Sequence, residues 1–353
     1  MWGAVLKRDL LGETREEDKF HTKEGLQDYL KSEIKKQGKN VVIRNLDVSL
    51  LEDLSWLFSG NVVGVESLDL SGWKTSNVEF MSWMFSDCES LKSIDLSGWD
   101  TSKVKDMGNM FFYCLSLKSI DLSGWDTSNV KNIGSMFAQC ISLESLDLSG
   151  WDVSKVTNMS CMFSDCENLK SLDISGWNTS NVKDMGQVFV NCKNLKSLDL
   201  SGWNTSNVKN MSDTFYGCRR LKTIYISGWD TSNVEDMGQM FWNCSNLESL
   251  DISGWNTSNV KSMSFMFQYC ENLKSLDLSG WNTSKVKNMS GMFSNCDELK
   301  SLDVSGWNTS NVKYMSWMFS YCKNLKSLDL SGWDISNVEN RDWMFYKCPV
   351  SEI

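Results

Sequence analysis

Apolar and polar positions along this chain recur as a single block. Tryptophan stands at Trp73, Trp99, Trp125, Trp151, Trp177, Trp203, Trp229, Trp255, Trp281, Trp307 and Trp333, always 26 residues apart, and cysteine keeps the same period from Cys88 to Cys348. A fixed period of this size, unbroken by insertions, predicts a solenoid or another linear array. Inside the block from Leu91 to Cys114, the spacing of Leu91, Ile94 and Leu96 predicts a short strand with one buried side. A glycine precedes the tryptophan in all eleven blocks, which predicts a turn at φ > 0 or a close backbone approach. The Asp/Asn-Thr-Ser that follows has the chemistry of a turn or a helix cap. Val104, Met107, Met110, Phe111 and Cys114 then fall on one helical stripe. A second short strand followed by one helical turn fits their spacing equally, and periodicity does not separate the two. Strand and return segment together make one coil of a parallel solenoid, a repeat fold of leucine-rich-repeat type.

The two ends depart from the block. Residues 1–40 form a leading segment in which Leu26, Tyr29, Leu30 and Ile34 share one helical face over 22–37, which predicts a capping helix. Residues 41–64 read as a degenerate first coil without the ladder Trp or Cys, aligned by placing Phe58 on Phe85, 27 residues on. Residues 65–348 hold the eleven repeats, and 349–353 a tail that begins at Pro349. In the last coil Arg341 replaces a core methionine, as suits a coil with one open face.

Composition narrows the function. The chain has 353 residues, 41% hydrophobic and 23% charged, with no apolar run long enough to span a bilayer. Its opening residues lack the apolar core of a signal peptide, so the sequence as written carries no export address. A net charge of −10 with scattered Lys and Arg argues against a nucleic-acid partner. The single histidine, His21, excludes a histidine-based relay or zinc site and reads as a surface residue. No nucleophile–base pair, phosphate loop or metal constellation is present, so neither catalysis nor a cofactor is expected.

The ladders read mainly as architecture. The cysteines share an inward stripe with Met and Phe and are expected as buried free thiols, with off-ladder Cys161 the better candidate for a reactive one. The methionines and ladder tryptophans read as core and corner packing. Aspartates such as Asp95, Asp121 and Asp147 should point outward from the sheet between serines. Stacked carboxylates repel, and calcium could relieve this, but hydrogen bonds from the serine rows are the favoured reading. The Thr-Ser rows fit turn chemistry better than an ice-binding surface.

The block L-x-x-L-D-L-S-G-W-[DN]-T-S-N-V-x-x-M-S-x-M-F-x-x-C, over about residues 41–348, resembles the BspA-like leucine-rich-repeat surface proteins of bacteria. The resemblance implies a leucine-rich-repeat solenoid at the cell surface or secreted, active in adhesion or protein binding without catalysis.

Three columns vary while the others are nearly fixed: those ten, thirteen and fourteen residues after each Trp. Offsets of 0, +3 and +4 share one face of a helical turn, which predicts an exposed band. Eleven aromatic residues on it are the candidate partner-binding set: Trp83, Phe112, Tyr113, Tyr216, Trp242, Phe265, Tyr269, Trp317, Tyr321, Trp343 and Tyr346. Their mixture with Ser, Asn, Asp and Gly resembles that of antibody binding loops. The expected function is recognition of a protein or other macromolecular surface ligand, without nucleic acid or membrane insertion. The alternative is a cytoplasmic recognition scaffold in a defence or regulatory system.

Overall fold

The computed structural model describes residues 19–350. The opening segment read above for an export signal, through residue 18, and the last three residues of the tail lie outside them. The chain divides into two compact units, Met1–Val156 and Thr157–Ile353, each a stack of coils.

The first unit opens on helix α1 (Lys23–Gln37). The Thr22 side chain accepts from the Gly25 N–H at 3.1 Å and caps its start. Gly38 ends it at φ 73°, returning its N–H to the Ile34 carbonyl. Leu26 and Leu30 are buried and the helix packs on the first strand, as a cap should. Tyr29 turns outward from the predicted face and packs its ring on Phe20, centroids 5.3 Å apart. Strands β1 (Asn40–Val42), β2 (Ser67–Asp69) and β3 (Ser93–Asp95) then pair in parallel, Val41 opposite Leu68 and Leu68 opposite Ile94. β4 (Ser145–Asp147) lies further along this unit. The second unit contains β5 (Ser171–Asp173), β6 (Ser197–Asp199) and β7 (Thr223–Tyr225), with Leu198 opposite Ile224. Along β4 to β7 the middle residue is buried and its two neighbours exposed, the alternation the sequence predicts. This is the repeat solenoid, one short parallel strand per coil.

The return segment is neither of the two forms the spacing allowed. It is a run of tight turns bonded coil to coil. The N–H groups of Met81, Trp83, Phe85 and Asp87 donate to the carbonyls of Asp106, Gly108, Met110 and Phe112 at 2.9, 3.0, 2.8 and 2.9 Å. The carbonyls of Met81 and Trp83 fold back, accepting from the N–H groups of Met84 at 3.3 Å and Ser86 at 3.2 Å, while those of Ser82 and Met84 accept from the preceding coil, from Trp56 and Phe58. Every second amide therefore points at the next coil, which an α-helix forbids because it uses those amides internally. The inward stripe survives the change of conformation: Val104, Met107, Met110, Phe111 and Cys114 have no solvent exposure.

The fixed columns stack on their own copies or bond to the backbone of the neighbouring coil. Phenylalanines pile with centroids 5.4–5.7 Å apart from Phe189 through Phe319. The ladder indoles are buried, and Trp229 Nε1–H donates to the Leu200 carbonyl at 3.1 Å. Buried threonines donate sideways, Thr231 Oγ1 to the Asn256 carbonyl at 3.0 Å. That burial removes the ice-binding option, which needs the hydroxyls in solvent. Of the glycines before the Trp, only Gly72 and Gly98 take φ > 0, while at Gly202 a Cβ would meet the Ser175 carbonyl oxygen at 2.5 Å. The rest meet neither expectation so sharply.

In the second unit the coils spread on the strand side. Trp–Trp separations there run from 6.1 to 6.5 Å, against 5.4–5.7 Å for the phenylalanines. The return-segment bridges continue unbroken to Tyr314–Asn340, whereas beyond β7 the strand positions keep one bridge, Ser301–Ser327. A shallow cleft of about 360 Å³ opens between the parted coils, lined by Ser249, Asp251, Ser253, Ser275 and Asp277. The return segments thus lie on the inner side of the fan.

Candidate functional site

The three variable columns sit on those return segments, and the structure changes what they are. They do not form a helical face. In all eleven coils the residue ten after the Trp has positive φ, from 53° at Ser135 to 62° at Gln187 and Trp317. So has the residue fourteen after, from 52° at Asn191 to 72° at Gly217. This left-handed region disfavours side chains and tolerates Gly, Asn and Asp best. The prevalence of those residues in the column fourteen after the Trp, and the absence of Val, Ile and Thr from both columns, has a backbone cause. The residue thirteen after carries no such constraint but is often inside: Ser86, Ala138, Ser294 and Ser320 are buried. The uniform exposed band predicted from helical offsets is therefore corrected to a half-buried strip with exposed points.

Backbone strain does not account for the aromatic residues. They gather into groups that meet across coils. In the first unit Trp83 stacks on Trp56 at 4.6 Å and 4°, with Phe112 edge-on at 5.5 Å and Tyr113 beside Phe112 at 6.1 Å. In the second unit Tyr216 and Trp242 stack at 4.3 Å and 8°, and Tyr269 meets Trp242 edge-on at 5.5 Å. Trp242 is fixed further by its Nε1–H, which donates to Gln268 Oε1 at 2.7 Å. A third group joins Trp317, Tyr321, Trp343 and Tyr346, with the Lys347 ammonium 5.0 Å above the Tyr321 ring. Phe265 belongs to none of these: its ring occupies the space a Cβ at Gly291 would need, 2.3 Å from Cδ1. Trp343 is 57% exposed, Trp317 40% and Tyr346 36%, while the other eight predicted residues are half-buried. The sequence reading missed Trp56, which is 50% exposed and stacked on a predicted residue. The Phe58–Phe85 alignment places it opposite Trp83 and would have found it.

Each left-handed aromatic costs roughly 1–2 kcal/mol of backbone energy, and a good ring pair returns about 0.5–1.5 kcal/mol. Stacking thus offsets much of the strain, and the rings stand as pre-organised, rigid surface.

The remaining candidate chemistry is structural. The ladder thiols from Cys88 to Cys322 are free and buried, as expected. Cys218 and Cys270 are pushed up to about 12 by burial, which keeps them protonated and unreactive. Cys161 is half-buried in the first variable column and its thiol donates to Gln187 Oε1 at 3.2 Å. On the sheet face, Asp121 Oδ1 accepts from the N–H and the hydroxyl of Ser123 at 3.0 and 2.7 Å. These bonds hold its carboxyl below the usual range, and the same serine bonds recur at Asp147, Asp199, Asp277 and Asp329. Among the described residues no group of three His, Cys, Asp or Glu is arranged to hold a metal, and no helix is long and apolar enough to cross a membrane.

Asp213 behaves in the opposite way. Burial pushes its carboxyl up, Asp236 adds to the rise, and bonds from Gln187 and Ser212 only partly oppose it. The Tyr216 hydroxyl is also pushed up, first by burial and then by the Asp213 charge.

Several solved structures resemble the chain at low identity. The TLR13–ssRNA13 complex aligns at 18% identity and TM-score 0.33, covering 86% of this chain, which spans only 44% of that one. The LRR protein LIC12759 of Leptospira interrogans aligns at 16% identity and TM-score 0.31, covering 86% of this chain and 87% of its own. An internalin, inlF, of Listeria monocytogenes aligns at 15% identity and TM-score 0.28, covering 90% and 87%. No curated protein matches the sequence. A family model described as "Mycoplasma protein of unknown function, DUF285" matches residues 29–140, 87–197, 114–225, 186–298 and 270–351. Those matches overlap through the repeats that build the fold, and the chain belongs to the DUF285 family.

Proposed function

We propose that this protein is a non-enzymatic binding solenoid that grips a protein partner through the aromatic groups on its return segments. One observation carries the reading. Large rings stand at left-handed positions where Asn or Gly would fit with less strain, and they are grouped, with Trp317 and Trp343 40% and 57% exposed. Clustered aromatics with part of each ring in solvent are what binding hot spots are made of. The inner side of a fanned stack also presents several coils to one partner at once. The finer reading, by resemblance of the repeat to BspA-like surface proteins, is adhesion at a bacterial cell surface.

The test is a paired capture from host extracellular-matrix extract and from lysate of the source cell. One bait is the protein itself. The second has Trp317, Tyr321 and Trp343 changed to Ser, with its fold checked by circular dichroism. A third has Asp251 and Asp277 on the sheet face changed to Asn. A partner lost by the second bait and kept by the third supports the reading, and the extract it comes from decides adhesin against intracellular scaffold. Equal capture by the first two baits overturns it.

A further inference from the structure

In the Tyr216–Trp242 group a half-buried carboxylate, Asp213, begins the turn that carries Tyr216. Asp213 and Tyr216 are the ends of one tight turn, closed by the Tyr216 N–H on the Asp213 carbonyl at 3.0 Å. Asp213 is partly withdrawn from water, and among the described residues no Lys or Arg forms an ion pair with it. Its charged neighbour is another acid, Asp236. Arg219 lies near enough to act on the Tyr216 hydroxyl but does not act on Asp213. Several glutamates along the coils are matched by lysine, Glu235 with Lys261, Glu248 with Lys274 and Glu339 with Lys313, and sheet-face aspartates such as Asp121 are held by serines, whereas Asp213 has the neutral side chains of Gln187 and Ser212. The position fourteen after the Trp is glycine in this coil, Gly217, so no side chain rises beside the Tyr216 ring from there.

We propose that Asp213, Tyr216 and Trp242 form a receptor for one cationic side chain, arginine or lysine, of the protein partner. A guanidinium or ammonium seated there would lie on the open, negative face of the Tyr216 ring, which Trp242 backs at 4.3 Å, and pair with a carboxylate that has no cation of its own. Net charge makes the same case: a chain at −10 favours a basic partner. The Gln268 bond to the Trp242 indole holds the ring plane still, so the site exists before the partner arrives. Trp317, Tyr321 and Trp343 then supply apolar contact elsewhere on the same partner. This assignment rests on the protein-binding reading above and adds the partner's chemistry to it.

The test uses the intact chain labelled with ¹⁵N at its indoles, with the Trp242 Nε1–H resonance assigned by Trp242→Phe. The probes are N-acetylarginine methylamide, N-acetyllysine methylamide and the neutral isostere N-acetylcitrulline methylamide. Arginine and lysine should move the Trp242 resonance saturably, with dissociation constants of about 10 mM or tighter, as befits one side chain removed from its partner. Citrulline should bind at least about tenfold more weakly, a difference of ~1.4 kcal/mol. Asp213→Asn should remove the arginine response, and Asn keeps the fold because it tolerates φ 54°. Equal shifts with citrulline, an unchanged affinity in Asp213→Asn, or no saturable response to arginine would each overturn the proposal. The two readings fail separately. Partner capture that needs Trp317, Tyr321 and Trp343 but is indifferent to Asp213→Asn leaves protein binding standing and removes the cation site, whereas capture indifferent to all of them removes the binding reading itself.

Discussion

Thr231→Val isolates the sideways hydrogen bond that ties one coil to the next. Thr231 is fully buried and its Oγ1 donates to the Asn256 carbonyl at 3.0 Å. Valine has nearly the same shape, and the chain already places Val153, 1% exposed, at the equivalent position of another coil. The substitution therefore removes a hydroxyl and leaves no cavity. An intramolecular hydrogen bond of this kind contributes about 0.5–1.5 kcal/mol net. Asn256 itself is exposed, so water can reach its freed carbonyl and the cost stays near the middle of that range, about 1 kcal/mol. For a unit the size of Thr157–Ile353 that is a fall in Tm of about 2–4 °C. Thr179, Thr205, Thr257, Thr283 and Thr309 make the same bond to the next coil. Replacing all six should cost about 6 kcal/mol if the sites add, comparable with the whole stability of an ordinary domain. Urea unfolding followed by tryptophan fluorescence and by circular dichroism reads both variants. A single variant as stable as the parent, or a sixfold variant that loses less than about 2 kcal/mol, would refute the claim that these hydroxyls hold coil to coil.

Three further outcomes follow from the same geometry. Phe267→Ala empties a fully buried slot between Phe241 and Phe293, at 5.6 and 5.7 Å, and should cost about 3–5 kcal/mol in the same urea assay. Iodoacetamide at pH 8, read by mass spectrometry of the native protein, should label Cys161 and Cys348 well before any of the ten buried ladder thiols, whereas all twelve react in urea; early labelling of Cys218 or Cys270 would contradict their burial. Glu66 is held at about 2 by Lys39 and Lys92, so its stabilising contribution is complete above its ordinary value of 4.5 and is lost as pH falls through about 2; Glu66→Gln should flatten that part of the acid-unfolding profile, and a carboxyl NMR titration midpoint near 4.5 would show the lysines are not engaged.

The sequence by itself determined the coil, its period and its inside. A residue that recurs every 26 positions lies beside its own copy in the neighbouring coil, so Trp and Phe stack on their like without further instruction. The alternation that placed Leu91 and Leu96 inside and the stripe from Val104 to Cys114 named the buried side correctly, although Ile94 between the leucines is only half-buried, because burial depends on which side chains share a face. The helical face over 22–37 located the capping helix, although Tyr29 took the outer side to meet Phe20. Periodicity does not report dihedral angles, however. Whether the return segment was helix or strand was decided by amides such as those of Trp83 and Asp87, which donate to a coil that lies 25 residues further on. Those non-local bonds accompany the left-handed φ at two columns, and that φ, invisible in a spacing, suits the Asn, Asp and Gly of the column fourteen after the Trp and the lack of Val, Ile and Thr in both. Likewise the candidate rings could be named from their columns, but which of them meet depends on side-chain directions across coils. Trp56 joined Trp83, Phe265 settled over Gly291, and Asp213 was left without a cation because of packing that only the assembled stack defines.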